Sequence, residues 1–231
     1  MEGRSSPVPR GYHFDKSYRE QVRLGDGSSA VLRLIRPSDR AALLKGFERL
    51  SPQSRYLRFF SMKATLTDAE LSQLVELDGV DRFAIVAMAE GGAEDQVLGV
   101  ARFARLPSHP ELCEPAVTVI DHAQGKGLAT VLLARLAAAA RERGVERFAC
   151  EFLAANWPVR HLIEKHARDA VFEHEDEVVR AEVPIPEVSA LGPPDAGALG
   201  SFMFRLLRES ARGKTEIRLR HLLLKTRERE R

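Results

Sequence analysis

The chain predicts an α/β fold, of the α+β kind around one mixed sheet, on three observations. Six short runs rich in Val, Ile, Phe and Ala carry strand signatures. Between them lie runs whose apolar residues recur at helical spacing. The hexapeptide Gln124-Gly125-Lys126-Gly127-Leu128-Ala129 joins one strand to the longest helix, as strand-to-helix loops do in such folds.

In chain order, residues 1–20 mix Pro, Gly, Ser and charges and are expected to lie loosely on the surface. Ser29 to Arg36 reads as the first strand, rich in branched residues and followed by Pro37. Ser38 and Asp39 can cap a helix whose apolar stripe is Ala41, Leu43, Leu44, Phe47 and Leu50. Ser51 starts another short helix, running through Phe60. Thr67-Asp68-Ala69-Glu70 has the pattern of a capping box before Leu71, Leu74 and Val75. Arg82 to Met88 and Gln96 to Ala104 read as strands around a Gly-bearing hairpin loop. Leu106 to Pro110 is a connection, and Cys113 to Ile120 is the fourth strand. The long helix from Gly127 buries Leu128, Val131, Leu132 and Leu136, places Arg135, Glu142 and Arg143 nearer solvent, and stops at Gly144. Glu146 to Leu153 is a fifth strand, Trp157 to Ala167 a helix, and Val178 to Ile185 a last strand. Prolines 184, 186, 193 and 194 then end the domain. Ala196 to Glu209 reads as helical.

Composition bounds the function classes. The 231 residues are 44% hydrophobic and 29% charged, ordinary for a soluble globular chain able to bury one substantial core. No apolar run approaches the ~20 residues of a membrane span, and the N-terminus has no apolar segment of the signal-peptide kind. Cys113 and Cys150 make neither a disulfide framework nor a metal set. A cytoplasmic protein without a metal is the expectation. Residues 212–231 hold eight Lys or Arg against three Glu, a net of +5; with +2 overall, the remainder carries −3. The basic character therefore belongs to the tail, which argues against a nucleic-acid-binding domain. The tail alternates charge with Ile217, Leu219, Leu222, Leu223 and Leu224. Docking on the domain, self-association, an acidic partner and a solvated tail all stay open for it.

The hexapeptide is a site for phosphate. The first N–H groups of a helix have no intrahelical partner, and the helix dipole favours an anion there. Gly125 and Gly127 permit a tight turn and close approach to the backbone. Neither nucleotide spacing is present. G-x-x-x-x-G-K-[ST] is missing, and Gly125-x-Gly127 is followed by Thr130 where a dinucleotide fingerprint needs Gly.

Gln124, Gly127 and Ala129 do fit Q/R-x-x-G-x-G/A, which resembles the pyrophosphate arm of the GNAT superfamily of acyl-CoA-dependent N-acetyltransferases. The element order is similar to GNAT proteins across roughly residues 28–186. It is closer still to the bacterial Pat-like protein-lysine acetyltransferases, through Arg33 to Pro37, Glu48 to Phe60 and Val97 to Arg102. The arginine- and aromatic-rich middle block is the more specific of these. The resemblance implies an N-terminal extension over 1–27, a GNAT domain over 28–186, and a linker with a basic helical tail over 187–231. It implies acetyl-CoA as co-substrate and a primary amine as acceptor. That amine would be a protein lysine, such as one on an acyl-CoA synthetase. A homo-oligomer stays open.

Acetyl transfer needs a neutral amine, whereas a lysine has a reference pKa near ~10.4, so the site needs a base or a water relay to one. Glu114 is the candidate. It stands at the start of the fourth strand among Cys113, Pro115 and Ala116, and it matches the glutamate base of Pat-like members. The resemblance assigns carbonyl polarisation and pantetheine contacts to main-chain groups around Val117 to Val119. The donor contacts it implies are thus Val117, Val119, Gln124, Gly125, Lys126, Gly127, Leu128, Ala129 and Asn156. Asn156 is also a natural helix cap. The chain departs from the family where many members carry an acidic tyrosine, seven residues after this asparagine; Ile163 stands there. His166-Ala167-Arg168 likewise replaces the usual Leu-Gly-Phe. A thiol of pKa near ~8.5 leaves reasonably well without an acid. A small-molecule amine acetyltransferase and a CoA-binding module without turnover are the competing readings.

Overall fold

The computed structural model describes residues 11–52, 54, 64–90, 96–154, 164, 169–175 and 178–185. Its strands are β1 (Arg19–Arg23), β2 (Ser29–Leu34), β3 (Arg82–Ala89), β4 (Val97–Leu106), β5 (His109–Val119), β6 (Arg147–Leu153), β7 (Val171–Glu175) and β8 (Val178–Pro184). They form one sheet in the order β1-β2-β3-β4-β5-β6-β8-β7. Among the described residues the helices are α1 (Arg40–Glu48), α2 (Asp68–Val75) and α3 (Leu128–Glu142). None of them is long and apolar enough to cross a membrane. The mixed α/β class expected from the sequence is the class observed.

The central strands are apolar on both faces because both faces are covered. Phe83, Ala84, Ile85, Val86 and Ala87 of β3 are all buried, as are Ala101, Arg102 and Phe103 of β4. The Phe83 and Phe103 rings stack at 5.4 Å. Helix α3 crosses one face of β3, β4 and β5. Helices α1 and α2 cover the other, where Val100 and Arg102 of β4 and Ala116 and Thr118 of β5 meet Leu43, Phe47 and Leu74. The start of α2 is the predicted capping box: Thr67 Oγ1 accepts from the Glu70 N–H, and Glu70 accepts from the Thr67 N–H.

Several sequence expectations need correction. Residues 11–20 are not loose. Phe14 is fully buried, Tyr18 nearly so, and the chain continues into β1, which pairs with β2. Arg135 and Arg143 do not face solvent; they are 1% and 7% exposed. Helix α3 is buried almost all round because this N-terminal segment covers its outer side. Ala42 and Gly46 of α1, not Ala41, turn inward. Asp39 precedes α1 but caps it with no side-chain bond. Its carboxylate instead takes both Nη atoms of Arg33, at 2.7 and 2.6 Å, and the Arg36 N–H. The connection expected at 106–110 is shorter, since β5 already begins at His109. Strand β7 was not expected from the sequence. The helices expected over 51–60, 157–167 and 196–209, and the basic tail, lie wholly or largely outside the described residues.

Candidate functional site

The sheet opens between β5 and β6. These two strands run parallel and pair only at Leu112 with Arg147 and at Cys113 with Phe148, preceded by the bond from the Glu146 N–H to the Glu111 carbonyl. Beyond them β5 runs on to Val119 and β6 to Leu153 with no pairing between them. The sequence contains the cause. The Glu111 carbonyl faces β6, and backbone direction alternates along a strand, so residues 113, 115, 117 and 119 also face that edge. The second of these is Pro115, which has no N–H to donate. On the other edge the Ile120 N–H donates to the Leu98 carbonyl at 3.0 Å, in step with the β4–β5 register. The N–H groups of Val117 and Val119 therefore point into the gap. Their side chains stay on the α3 face, where Val119 is 3% exposed.

The loop after β5 closes one end of this gap. A 3-10 turn over Asp121–Ala123 leads into Gln124, whose Nε2 donates to the Val119 carbonyl at 3.0 Å. Gly125 and Gly127 hold φ of +77° and +85°, left-handed values that favour glycine, with open space where a Cβ would stand. Gly127 is the N-cap of α3 and offers no side-chain cap. The first intrahelical bond runs from the Val131 N–H to the Gly127 carbonyl. The N–H groups of Leu128, Ala129 and Thr130 are thus the free donors of the helix start. Leu128's side chain is 1% exposed and belongs to the core, so only its backbone is available to a ligand.

Lys126 and Gln124 are already engaged within the protein. Lys126 Nζ lies 2.8 Å from Asp26 Oδ2, and the Lys126 carbonyl accepts from the Gly25 N–H at 2.8 Å. The β1–β2 turn thereby grips the loop. Beside it opens a cavity of about 420 Å³ that Ser28, Ser29, His122 and Lys126 help line.

Glu114 sits on β5 with its side chain on the face opposite Val117 and Val119, the same face as Ala116 and Thr118. It is 4% exposed. Cys150 on β6 feels it: burial first, and then the Glu114 charge, push that thiol up to about 12. Burial raises Cys113 as well. The carboxylate is therefore near the strand that lines the far side of the gap. On the same face a largely apolar cavity of about 70 Å³ is bounded by Ile35, Phe47, Leu74, Ala116 and Thr118, with the Arg102 guanidinium at its wall.

The structure thus brings Val117, Val119, Gln124, Gly125, Lys126, Gly127, Leu128 and Ala129 onto one continuous strand–loop–helix edge, with Glu114 at its start. Asn156, Ile163 and His166 lie outside the described residues. Sequence reasoning missed Pro115, although a proline inside a central-strand pattern is itself a signal of broken pairing. It also missed Gly25 and Asp26, which stand about a hundred positions before Lys126 and carry no local signal.

The strand pair that parts beside a glycine-rich helix start leaves main-chain donors along one continuous edge. The Acetyltransferase (GNAT) domain family matches residues 30–166, and the chain belongs to it. It is an acetyl-CoA-dependent N-acetyltransferase by that membership. An acetyltransferase of Pseudomonas aeruginosa is 34% identical over 139 residues, covering 60% of this chain and 74% of its own. Acetyltransferase Pat of Mycolicibacterium smegmatis is 36% identical over 172 residues, covering 74% of this chain. The chain spans 50% of that relative's length. The crystal structure of the GNAT domain of S. lividans PAT superposes with a TM-score of 0.60 at 32% identity, covering 72% of this chain and 96% of that one.

Proposed function

We propose that this chain acetylates a protein lysine ε-amine, with Glu114 as the base and the β5–α3 edge as the seat of acetyl-CoA. The observation that carries the reading is the gap between β5 and β6. A pantetheine arm laid along β5 would find the Val117 and Val119 N–H groups free. Its diphosphate would meet the start of α3 and the loop around Gly125 and Gly127.

In this reading the amine nitrogen attacks the thioester carbon. A C–N bond forms, the C–S bond breaks, and the thiolate leaves and takes up a proton. Glu114 receives the proton that the nitrogen sheds, directly or through one water. A β5 N–H at the gap stabilises the oxygen as charge develops on it. The apolar cavity under α1 and α2 lies on the Glu114 face and suits the methylene stem of a lysine better than a strongly polar amine. The likeness to Pat points the same way. A cytoplasmic setting, where acetyl-CoA is made and used, completes the proposal.

The test is thiol release from acetyl-CoA against a panel of small amines and lysine-bearing proteins, beginning with acyl-CoA synthetases. Release that needs a protein acceptor supports the reading. Release with small amines alone reassigns the acceptor. Flat traces throughout, with acetyl-CoA bound, leave a binding module in its place.

A further inference from the structure

We propose that Asp26 is a positioning residue that holds Lys126 in competition with the donor's diphosphate, so that the β1–β2 turn sets how tightly acetyl-CoA binds. The inference rests on the donor-site reading above and adds to it a residue from outside the β5–α3 edge. Lys126 is the one cation of the glycine loop, and its ammonium lies 2.8 Å from Asp26. The carboxylate is itself fixed: its Oδ1 accepts from the Ser28 N–H at 3.1 Å and from the Ser28 hydroxyl at 2.6 Å. The backbone repeats the contact through the Gly25 N–H and the Lys126 carbonyl. Lys126 hydrogen bonding, and then Ser28, hold Asp26 well below the usual carboxylate range, so it stays charged at any working pH.

Two consequences follow. The Asp26 carboxylate occupies the ammonium that would otherwise meet an incoming phosphate. The pair is also partly exposed, at 30% and 38% for the two side chains, so its ions exchange partners at little cost. Lys126 then moves between Asp26 in the free protein and phosphate in the complex, while the backbone bond keeps the loop in place.

Isothermal titration of CoA into the full chain tests this with Asp26→Asn, Lys126→Ala and the double variant. Asp26→Asn is expected to bind CoA about threefold tighter at low salt, an advantage that shrinks as salt screens it. Its KM for acetyl-CoA falls with kcat unchanged. Lys126→Ala binds more weakly, and in that background Asp26→Asn has no further effect. Unchanged or weaker binding by Asp26→Asn overturns the inference, as does an equal gain without Lys126. Wild-type protein that binds no CoA overturns the donor-site reading itself, and this inference with it.

Discussion

Arg135 of α3 and Glu20 of β1 form a two-point ion pair, Nε and Nη2 each 2.7 Å from a carboxylate oxygen. The Tyr18 hydroxyl donates to the same carboxylate at 2.6 Å. At the C-cap of α3, Arg143 lies 4.2 Å over the Tyr12 ring and donates to the Phe14 carbonyl at 2.8 Å. The segment from Tyr12 to Asp26 therefore runs the length of α3, from Arg143 through Arg135 to Lys126.

Glu20→Gln should destabilise the fold, because it leaves the Arg135 guanidinium, 2% exposed, without its countercharge. A buried pair broken on one side costs several kcal/mol; with Glu20 itself 27% exposed, about 2 kcal/mol is expected. Urea denaturation measures it. Burial pulls the Glu20 carboxyl up, but the bonds from Arg135 and Tyr18 outweigh it and hold it below its usual range. A depressed native pKa gives stability that is present above the ordinary carboxylate pKa and lost as pH falls through the native one. Wild type should therefore lose more stability than Glu20→Gln on acidification below about pH 4.3.

Gly99→Ala should disturb β5 directly. A Cβ there would stand 2.9 Å from the Thr118 carbonyl, 3.1 Å from Leu132 and 3.2 Å from Val119. Backbone cannot swing aside as a long side chain does, so β5 must shift, at a cost of about 1–3 kcal/mol. Gly99 faces Val119, whose carbonyl anchors Gln124, so the shift reaches the loop. Thermal melting and KM for acetyl-CoA read the two effects. At Gly46 the nearest atom is 3.5 Å away, and the same change should be milder there.

Both cysteines should be silent to thiol reagents in the native protein. Cys113 and Cys150 are fully buried and their pKa values raised, Cys150 to about 12. Thiol counting at pH 8 should find neither until denaturant is added, when both react. Since the native state keeps these thiols neutral, the stability they contribute is intact below about pH 8.5 and lost as pH rises toward 12.

Much of this was legible in the chain. Branched and apolar runs placed β2 to β6 and β8, and Gly-x-Gly before an Ala/Leu run placed the turn that opens α3. Strand β1 was hidden because Arg19-Glu20-Gln21-Val22-Arg23 buries only Val22, leaves Arg19, Gln21 and Arg23 exposed, and turns a charged Glu20 inward. Strand β7, Val-Phe-Glu-His-Glu at the other edge of the sheet, was hidden because Phe172 is only half-buried and Val171, Glu173 and His174 are exposed. Arg135 and Arg143 read as solvent-facing because a helical wheel cannot show that a distant segment supplies their partners. The Asp26–Lys126 contact was illegible for the same reason, being a product of topology alone.

The most direct test of the central claim is mass detection of acetyl-lysine on an acyl-CoA synthetase incubated with acetyl-CoA and either wild type or Glu114→Gln. Calorimetry with CoA runs alongside. The proposed mechanism predicts lysine acetylation by wild type, a fall of about 10²–10⁴-fold in Glu114→Gln, and equal CoA affinity in both. Acetylation that proceeds equally in Glu114→Gln would contradict the base, and CoA binding with no acetylated lysine on any protein acceptor would contradict the acceptor.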